Sequence, residues 1–188
     1  MDDVVLARHG ETATTAGGIV GGDAPLSARG REQAAALGRG LAGLPFDACL
    51  MSGAVRVRET AAIALARRDI PCSIDERLGD IEFGAFERRP LEDYRDWIAA
   101  HDPSEAPPGG ESGVATLRRF CAAYRDVLAR AEAHILVVAH GLTVSALTDE
   151  RPRPVVTGVP YGSWIRLSRA ELAGAVARLE RWCEAPSW

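Results

Sequence analysis

The sequence predicts an α/β fold of three layers (α/β/α), in which helices cover both faces of one mostly parallel sheet. Two strongly apolar runs, residues 4–7 and 134–139, each lead into a histidine followed by a glycine. Runs this apolar are typical of strands that are buried on both faces of a parallel sheet. Segments with the three-to-four-residue spacing of helices alternate with these and other short runs, as expected of successive strand and helix units.

Length and composition predict a single domain over residues 1–188. The chain has 188 residues, 47% of them hydrophobic, with a formal net charge of -4, so it can bury a core of its own. Its first residues lack the basic region and long apolar stretch of a secretory signal, and no later segment is apolar enough for a membrane span. We therefore expect a cytoplasmic protein with no membrane partner.

The charged residues and the cysteines narrow the function classes. All 22 basic residues are arginines, which excludes Schiff-base chemistry and a P-loop lysine and leaves arginine as the permanent cation for binding anions. The acidic total argues against a nucleic-acid partner. The four cysteines include no C-x-x-C pair, so we expect them to be reduced and structural.

The first half of the chain alternates strands, loops and helices. A strand over residues 4–7 precedes a loop over 13–25, which is rich in Thr, Gly, Asp and Pro. Ser27 is placed to cap a helix with one apolar face. The sequence then predicts a strand over 47–51, a helix over 55–66 and a short strand over 72–74.

The second half begins with an extended segment over residues 78–86. A Pro- and Gly-rich break over 103–110 indicates a loop or lid. The remaining predicted elements are a helix from 112 to about 131, a strand over 134–139, a helix after Gly141, and two final strands over 163–167 and 175–182, antiparallel or at an edge of the sheet.

Two histidines are predicted to share one site. Ligands of open parallel sheets bind at the carboxyl ends of the strands, and His9 and His140 each follow a strand there. Arg8 precedes the first histidine and Arg56 opens a helix after a third strand, so two guanidinium groups can reach the same edge. Their geometry matches the oxygens of a phosphate group.

A lone histidine after a strand is more often a loop or core residue, so the hypothesis depends on the whole string RHGET and on the motifs that follow it. Together they resemble the histidine phosphatase superfamily, also called phosphoglycerate mutase-like. The segments that carry the resemblance are RHGET (8–12), DAPLSARGREQA (23–34), SGAVRVRETA (52–61), LGDIEFGAFE (78–87), PGGES (108–112) and VVAHG (137–141).

The resemblance implies a phosphoglycerate mutase-like fold and a phosphatase that forms a phosphohistidine on His9, without metal or cofactor. Arg8 and Arg56 would bind the phosphoryl oxygens, and a protonated His140 would donate a hydrogen bond to them. A neutral imidazole is a good nucleophile when one ring nitrogen donates to a backbone oxygen. The glutamate of the family that moves the proton of the leaving group corresponds here to Asp80.

The sequence departs from the family pattern at several positions. Asp80 is one methylene shorter than glutamate, and Glu82 is the alternative acid, since residues two apart in an extended segment face the same side. Thr15 stands where many members have asparagine, and its hydroxyl can donate to phosphate.

Other residues near these motifs have two interpretations each. The aromatic residues Phe83, Phe86 and Trp97 either form the floor of a substrate pocket or belong to the core. Glu111 either orients an arginine or caps the helix that starts near Ser112.

Three functions remain open: a hydrolase of small phosphate monoesters, a cofactor-dependent phosphoglycerate mutase, and an inactive module that binds phosphorylated ligands. The absence of lysine, and Phe83 where mutases have tyrosine, favour the hydrolase. A binding module would keep Arg8 and Arg56 but tolerate loss of His9 or of the acid; His9 is present, and of these residues only the acid departs from the family pattern. The expected partner is a small-molecule phosphate ester, selected by residues 83–110 and 151–161; the sequence indicates no oligomeric state.

Overall fold

The computed structural model describes residues 1–152 and 158–188. Within them the strands are β1 (Asp3–Arg8), β2 (Ala48–Met51), β3 (Cys72–Ile74), β4 (His134–Ala139) and β5 (Trp164–Ser168). The helices are α1 (Ala13–Ala16), α2 (Ala28–Gly40), α3 (Val55–Ala64), α4 (Leu91–Ala99), α5 (Gly113–Ala129), α6 (Gly141–Thr148) and α7 (Arg169–Glu184). Two 3-10 turns lie at Glu76–Leu78 and Gly84–Phe86.

The described strands form one sheet in the order β3-β2-β4-β1-β5. The strands β1, β2, β3 and β4 pair in parallel, and β5 pairs antiparallel with β1 at the edge. This confirms the predicted α/β class, the mostly parallel sheet and the antiparallel edge strand. Arg8 is in register with Ala139, so the residues that follow β1 and β4 emerge side by side.

Helices cover both faces of the sheet, because its central strands are apolar on both sides. Val4 and Leu6 of β1 pack into the core beneath α5, α6 and α7, whereas Val5 and Ala7 pack beneath α2 and α3. Phe120 on α5 is fully buried, and its truncation to alanine would cost about 3–5 kcal/mol of folding free energy. The core thus fixes the strand ends that carry the site.

The predicted cap Ser27 is present, and a second serine, Ser112, caps α5. Ser27 accepts a hydrogen bond from the Gly30 amide at the start of α2, and Ser112 accepts one from the Ala115 amide at the start of α5. Each cap satisfies an amide of the first helical turn. Residues 103–110 lie between α4 and α5, as the predicted break requires.

The predicted strand over residues 175–182 is wrong, because this stretch belongs to α7. A capping box between Ser168 and Glu171 starts the helix. Its buried residues follow helical spacing, at positions 172, 175, 176, 179 and 183. The apolar residues of this stretch therefore recur every three to four positions, as in a helix, and not every second position, as in a strand.

Three further segments differ from expectation. The loop over 13–25 begins with the short helix α1, which a capping box between Thr12 and Thr15 starts. Residues 79–83, expected to be extended, form no strand and lie between the two 3-10 turns. The helix α4 was not predicted.

Two expectations from composition can be compared with the structure. The four cysteines are free thiols, and Cys72 is exposed, whereas the others are buried. No helix in the described parts of the chain is long and apolar enough to cross a membrane.

Candidate functional site

The imidazole of His9 lies at the carboxyl end of β1 and is held in one tautomer. Its Nδ1 donates to the carbonyl oxygen of Gly10 at 2.7 Å, because a carbonyl oxygen can only accept. The Gly10 amide in turn donates to Oγ1 of Thr60 at 3.0 Å. These contacts leave the lone pair of His9 Nε2 as the reactive position of the ring.

Burial keeps this imidazole neutral. The side chain is 3% exposed, and desolvation, with the nearby His140 and Arg56, lowers the pKa of His9 well below its ordinary value of 6.5. Near neutral pH the ring therefore presents an unprotonated nitrogen.

His140 lies beside His9 at the end of β4, with the two ring centroids 5.3 Å apart. Its Nδ1 is 3.2 Å from Nη2 of Arg56, which can only donate, and its Nε2 is 2.9 Å from Oγ of Ser52. We therefore assign the Nε2 proton to the hydrogen bond with Ser52.

The sequence predicts a protonated His140, but the surroundings of the ring favour its neutral form. Burial first, then the guanidinium groups of Arg56, Arg119 and Arg8, lower the pKa of His140 well below 6.5. The protein alone thus holds this ring neutral. A phosphate dianion bound at the arginines would oppose their effect and favour the protonated form.

Arg56, the second residue of α3, contacts groups from three other parts of the site. Its Nε donates to His9 Nε2 at 3.3 Å, and its Nη1 donates to the Gly22 carbonyl at 3.1 Å. Its Nη2 is 3.3 Å from the carboxylate of Asp80. Asp23 accepts from the Val55 amide at 2.7 Å, so a side chain of the Gly-rich loop fixes the start of α3.

Arg8 is held from the far side of the site. Its Nη1 donates to the carbonyl oxygen of Val159, and the guanidinium carbon lies 3.7 Å from the ring centroid of Tyr161, a cation–π contact. The Nε of Arg8 is buried and has no hydrogen-bond partner among the described residues. It is a donor that a phosphoryl oxygen could satisfy.

The structure brings Asp80, not Glu82, to the basic cluster. The Asp80 carboxylate is 3.4 Å from Nδ1 of His140 and is partly exposed, whereas Glu82 is exposed. Because residues 79–83 are irregular, the two acids do not share one face as a strand would require. The choice between them as the proton donor stays a prediction, which this geometry favours for Asp80.

A half-buried arginine fixes the segment that carries Asp80. Arg119 donates to the carbonyl oxygens of Arg77, Gly79 and Asp80 at 2.8, 2.9 and 3.0 Å. Glu111 pairs with the same guanidinium at 2.6 Å. Of its two interpretations, Glu111 thus orients an arginine, and the helix cap comes from the next residue.

Thr15 lines the same pocket as His9. Its hydroxyl donates to the Thr12 carbonyl at 3.2 Å and accepts from the Thr12 amide at 3.0 Å. The capping box of α1 thus uses this hydroxyl, and its contact with phosphate remains a prediction.

The aromatic residues divide between pocket and support. Phe83 lines the pocket, together with Tyr94 of α4. Phe86 and Trp97 pack around Tyr94 with ring centroids 5.7 and 6.4 Å away. Of the 151–161 segment, Tyr161 reaches the pocket, and residues 153–157 lie outside the described residues.

The sequence reasoning did not single out Ser52, Thr60, Tyr161 and Arg119. Ser52 and Thr60 stand inside the quoted SGAVRVRETA segment, where a buried hydroxyl beside an arginine could have indicated a supporting role. No local pattern marks Tyr161 or Arg119, since their partners are far away in sequence.

The loop after His9 packs directly against α2. A Cβ built on Gly30 would overlap the Glu11 carbonyl oxygen, and one built on Gly10 would overlap the Gly30 carbonyl oxygen. The Ser27 amide donates to the Glu11 carbonyl at 2.9 Å. Glycine at both positions therefore permits the two backbones to touch.

Known proteins are similar to this chain over most of its length. A family model described as "Histidine phosphatase superfamily (branch 1)" matches residues 4–181. The chain is 34% identical over 156 residues to the adenosylcobalamin/alpha-ribazole phosphatase of Escherichia coli (strain K12), covering 76% of this chain and 75% of that protein. It is 30% identical over 190 residues to fructose-2,6-bisphosphatase TIGAR B of Danio rerio, covering 88% and 72%.

A solved structure is similar over most of its length. The mycobacterial glucosyl-3-phosphoglycerate phosphatase, solved with VO3, aligns with a TM-score of 0.76 at 26% identity, covering 89% of this chain and 93% of that one.

Proposed function

This chain belongs to the histidine phosphatase superfamily, and on that premise we propose that it hydrolyses small phosphate monoesters through a phosphohistidine on His9. The observation that carries the proposal is the hydrogen bond from His9 Nδ1 to the Gly10 carbonyl, which directs an unprotonated Nε2 toward Arg56. A fixed tautomer beside an arginine is what nucleophilic attack on a phosphoryl group requires.

In the first half-reaction, His9 Nε2 forms a bond to phosphorus while the bond from phosphorus to the ester oxygen breaks. Protonated Asp80 gives its proton to the departing oxygen, which leaves as an alcohol. Arg8, Arg56 and His140 stabilise the negative charge on the three remaining oxygens.

In the second half-reaction, the Asp80 carboxylate takes a proton from water as the water oxygen attacks phosphorus. The bond between His9 and phosphorus breaks, inorganic phosphate leaves, and both side chains return to their starting protonation states. The pocket thus uses one acid in both directions.

The proposal assigns the charge stabilisation to arginine and needs no metal or cofactor. In the described parts of the chain, no group of three or more His, Cys, Asp or Glu side chains is arranged to hold a metal ion. We also place the reaction in the cytoplasm, which the four free thiols support.

The test is hydrolysis of p-nitrophenyl phosphate in excess EDTA, comparing the native protein with the His9→Ala variant. We expect turnover by the native protein to survive EDTA and the variant to lose at least about a thousandfold in kcat, the scale found when a nucleophile is removed. A rapid quench with labelled substrate should give a protein-bound phosphoryl group that is stable to alkali and labile to acid, as a phosphoramidate is.

Equal activity of both proteins would refute the assignment of His9. Loss of activity in EDTA that added Mg²⁺ or Zn²⁺ restores would refute the metal-free mechanism and leave the nucleophile to be tested by the quench.

A further inference from the structure

The pocket around His9 has two unlike parts. One part is polar and contains Arg8, Arg56 and Asp80. Most of the remaining side chains that line it are apolar or aromatic; those the argument uses are Ile19, Ile81, Phe83, Leu91, Tyr94 and Leu142. The first part fits a phosphoryl group, so the second part is the surface that contacts the leaving group.

The aromatic part of this surface is rigid. The Phe83 and Tyr94 rings meet edge to face, with centroids 4.9 Å apart and an interplanar angle of 81°. Phe86 supports Tyr94 from behind, and Tyr94 is only 4% exposed. Rings that are already fixed lose little entropy on binding, and they favour flat apolar ligands.

Among the described residues, this surface offers no further cation to a second negative charge on the substrate. Among the described residues that line the pocket, the permanent cations are Arg8 and Arg56, and the phosphoryl group takes both. An additional phosphate or carboxylate would contact apolar carbon atoms or approach the carboxyl group of Asp80. Burying an unpaired charge in such surroundings is costly.

The adjoining groove on the other side of Asp80 offers no alternative. It is lined by four more carboxylates, Asp23, Glu76, Glu82 and Glu87, and by Arg56 as its cation among the described residues. An anionic leaving group is therefore repelled from this direction as well.

We propose that the natural substrate is a monophosphate ester whose leaving group is uncharged and apolar, with an aromatic ring as its best fit, and which carries no second phosphate or carboxylate. This inference rests on the proposed phosphatase function and specifies its substrate class. The same surface disfavours the mutase alternative, whose substrate carries a carboxylate.

The test compares three esters whose leaving groups differ in charge and polarity: benzyl phosphate, 4-carboxybenzyl phosphate and glycerol 1-phosphate. The two benzyl esters release alcohols of nearly equal acidity, so their rates differ through binding contacts. We expect kcat/KM for benzyl phosphate to exceed that for the carboxybenzyl ester by at least about tenfold, the usual scale of an unpaired charge in an apolar site. Glycerol 1-phosphate should fall between them.

An engineered charge sharpens the comparison. Leu91, the first residue of α4, lines the pocket and is half-buried, so an arginine there can reach a carboxylate in the pocket. We expect Leu91→Arg to reduce the ratio of kcat/KM between benzyl phosphate and 4-carboxybenzyl phosphate by about tenfold. An effect of this size is on the scale of a charge-assisted hydrogen bond. The matched control is Ile74→Arg on β3, since Ile74 is 51% exposed and does not line the pocket; it should leave this ratio unchanged.

Equal or faster turnover of the carboxybenzyl ester by the native protein would overturn the inference and leave the phosphatase function intact. So would a ratio of the two kcat/KM values that Leu91→Arg and Ile74→Arg change equally. Failure to hydrolyse any of these esters, or p-nitrophenyl phosphate, would overturn the proposed function itself and the inference with it.

Discussion

The end of the pocket that we propose binds phosphate and the aromatic surface beside it are built in different ways. The first comes from the ends of β1 and β4 and the start of α3, and its histidines are 3% and 1% exposed. The second comes from the irregular residues 79–83 and the short helix α4. The register of a sheet fixes the groups to which we assign the reaction, whereas segments outside the sheet shape the surface proposed for the leaving group. Such segments accept substitutions more readily, which suits them to determine specificity.

Asp80 lies where the two regions meet, and its removal should have the largest effect. We expect Asp80→Asn to lower kcat/KM for benzyl phosphate by about 10²–10⁴-fold, the range for loss of a general acid. The loss for p-nitrophenyl phosphate should be smaller, because p-nitrophenolate departs without a proton. Stopped-flow measurements should also show a burst of p-nitrophenol, since water attack becomes slow.

The control for this prediction is Glu82→Gln, which removes the alternative acid on the exposed side of the same segment. It should leave both esters within about twofold of the native rates, as is usual for an exposed position outside the site. If Glu82→Gln produces the larger loss, the roles of the two acids are reversed.

Tyr161 should affect every substrate alike, because its ring lies against Arg8 and His9, the residues proposed to contact the phosphoryl group. Loss of its ring in Tyr161→Leu removes a cation–π contact of about 0.5–2 kcal/mol, which raises KM about two- to thirtyfold. Tyr161→Phe keeps the ring and should retain most of the affinity. Steady-state kinetics with benzyl phosphate and glycerol 1-phosphate measure this; a loss confined to the benzyl ester would place Tyr161 with the aromatic surface instead.

The buried histidines should make the protein less stable in acid, an effect on folding and not on catalysis. In the unfolded chain each binds a proton near its ordinary pKa of 6.5, whereas burial keeps the folded-state pKa far lower. The free energy of unfolding therefore falls as pH decreases below 6.5, by up to about 1.4 kcal/mol per pH unit for each ring.

Urea unfolding of the native protein and of His140→Gln between pH 7 and 5.5 measures this effect. On acidification, the free energy of unfolding of the variant should fall less than that of the native protein. The difference should equal the contribution of one buried histidine. Identical pH dependence in both proteins would mean that the ring of His140 is protonated in the folded state.

Sequence reasoning predicted the sheet and the placement of the reacting residues because both depend on local patterns. The apolar runs before Arg8 and His140 specified buried strands, and neighbouring strand ends must meet. It was wrong for residues 175–182, where apolar residues three to four apart were assigned to a strand although Ser168 and Glu171 had already marked a helix start.

The remaining parts depend on contacts between residues distant in sequence. Arg119 reaches the carbonyl of Asp80 across 39 positions, and Arg8 reaches the carbonyl of Val159 across 151. The spacing of residues in the sequence does not predict which carbonyl oxygen a long arginine side chain will bind. The alternating side-chain directions of a strand could not separate Asp80 from Glu82 for a related reason. This segment is not part of a sheet, and Arg119 binds its backbone.

The contact between Gly10 and Gly30 restricts the motion of the turn that carries His9. Since neither backbone can advance without pushing the other, the turn that orients His9 shares the rigidity of a 13-residue helix. Hydrogen exchange at the amides of Gly10 and Glu11, bonded to Thr60 and Gln33, should then proceed by the same opening event as the interior of α2. We therefore expect the turn that orients His9 to keep its conformation until that whole unit opens.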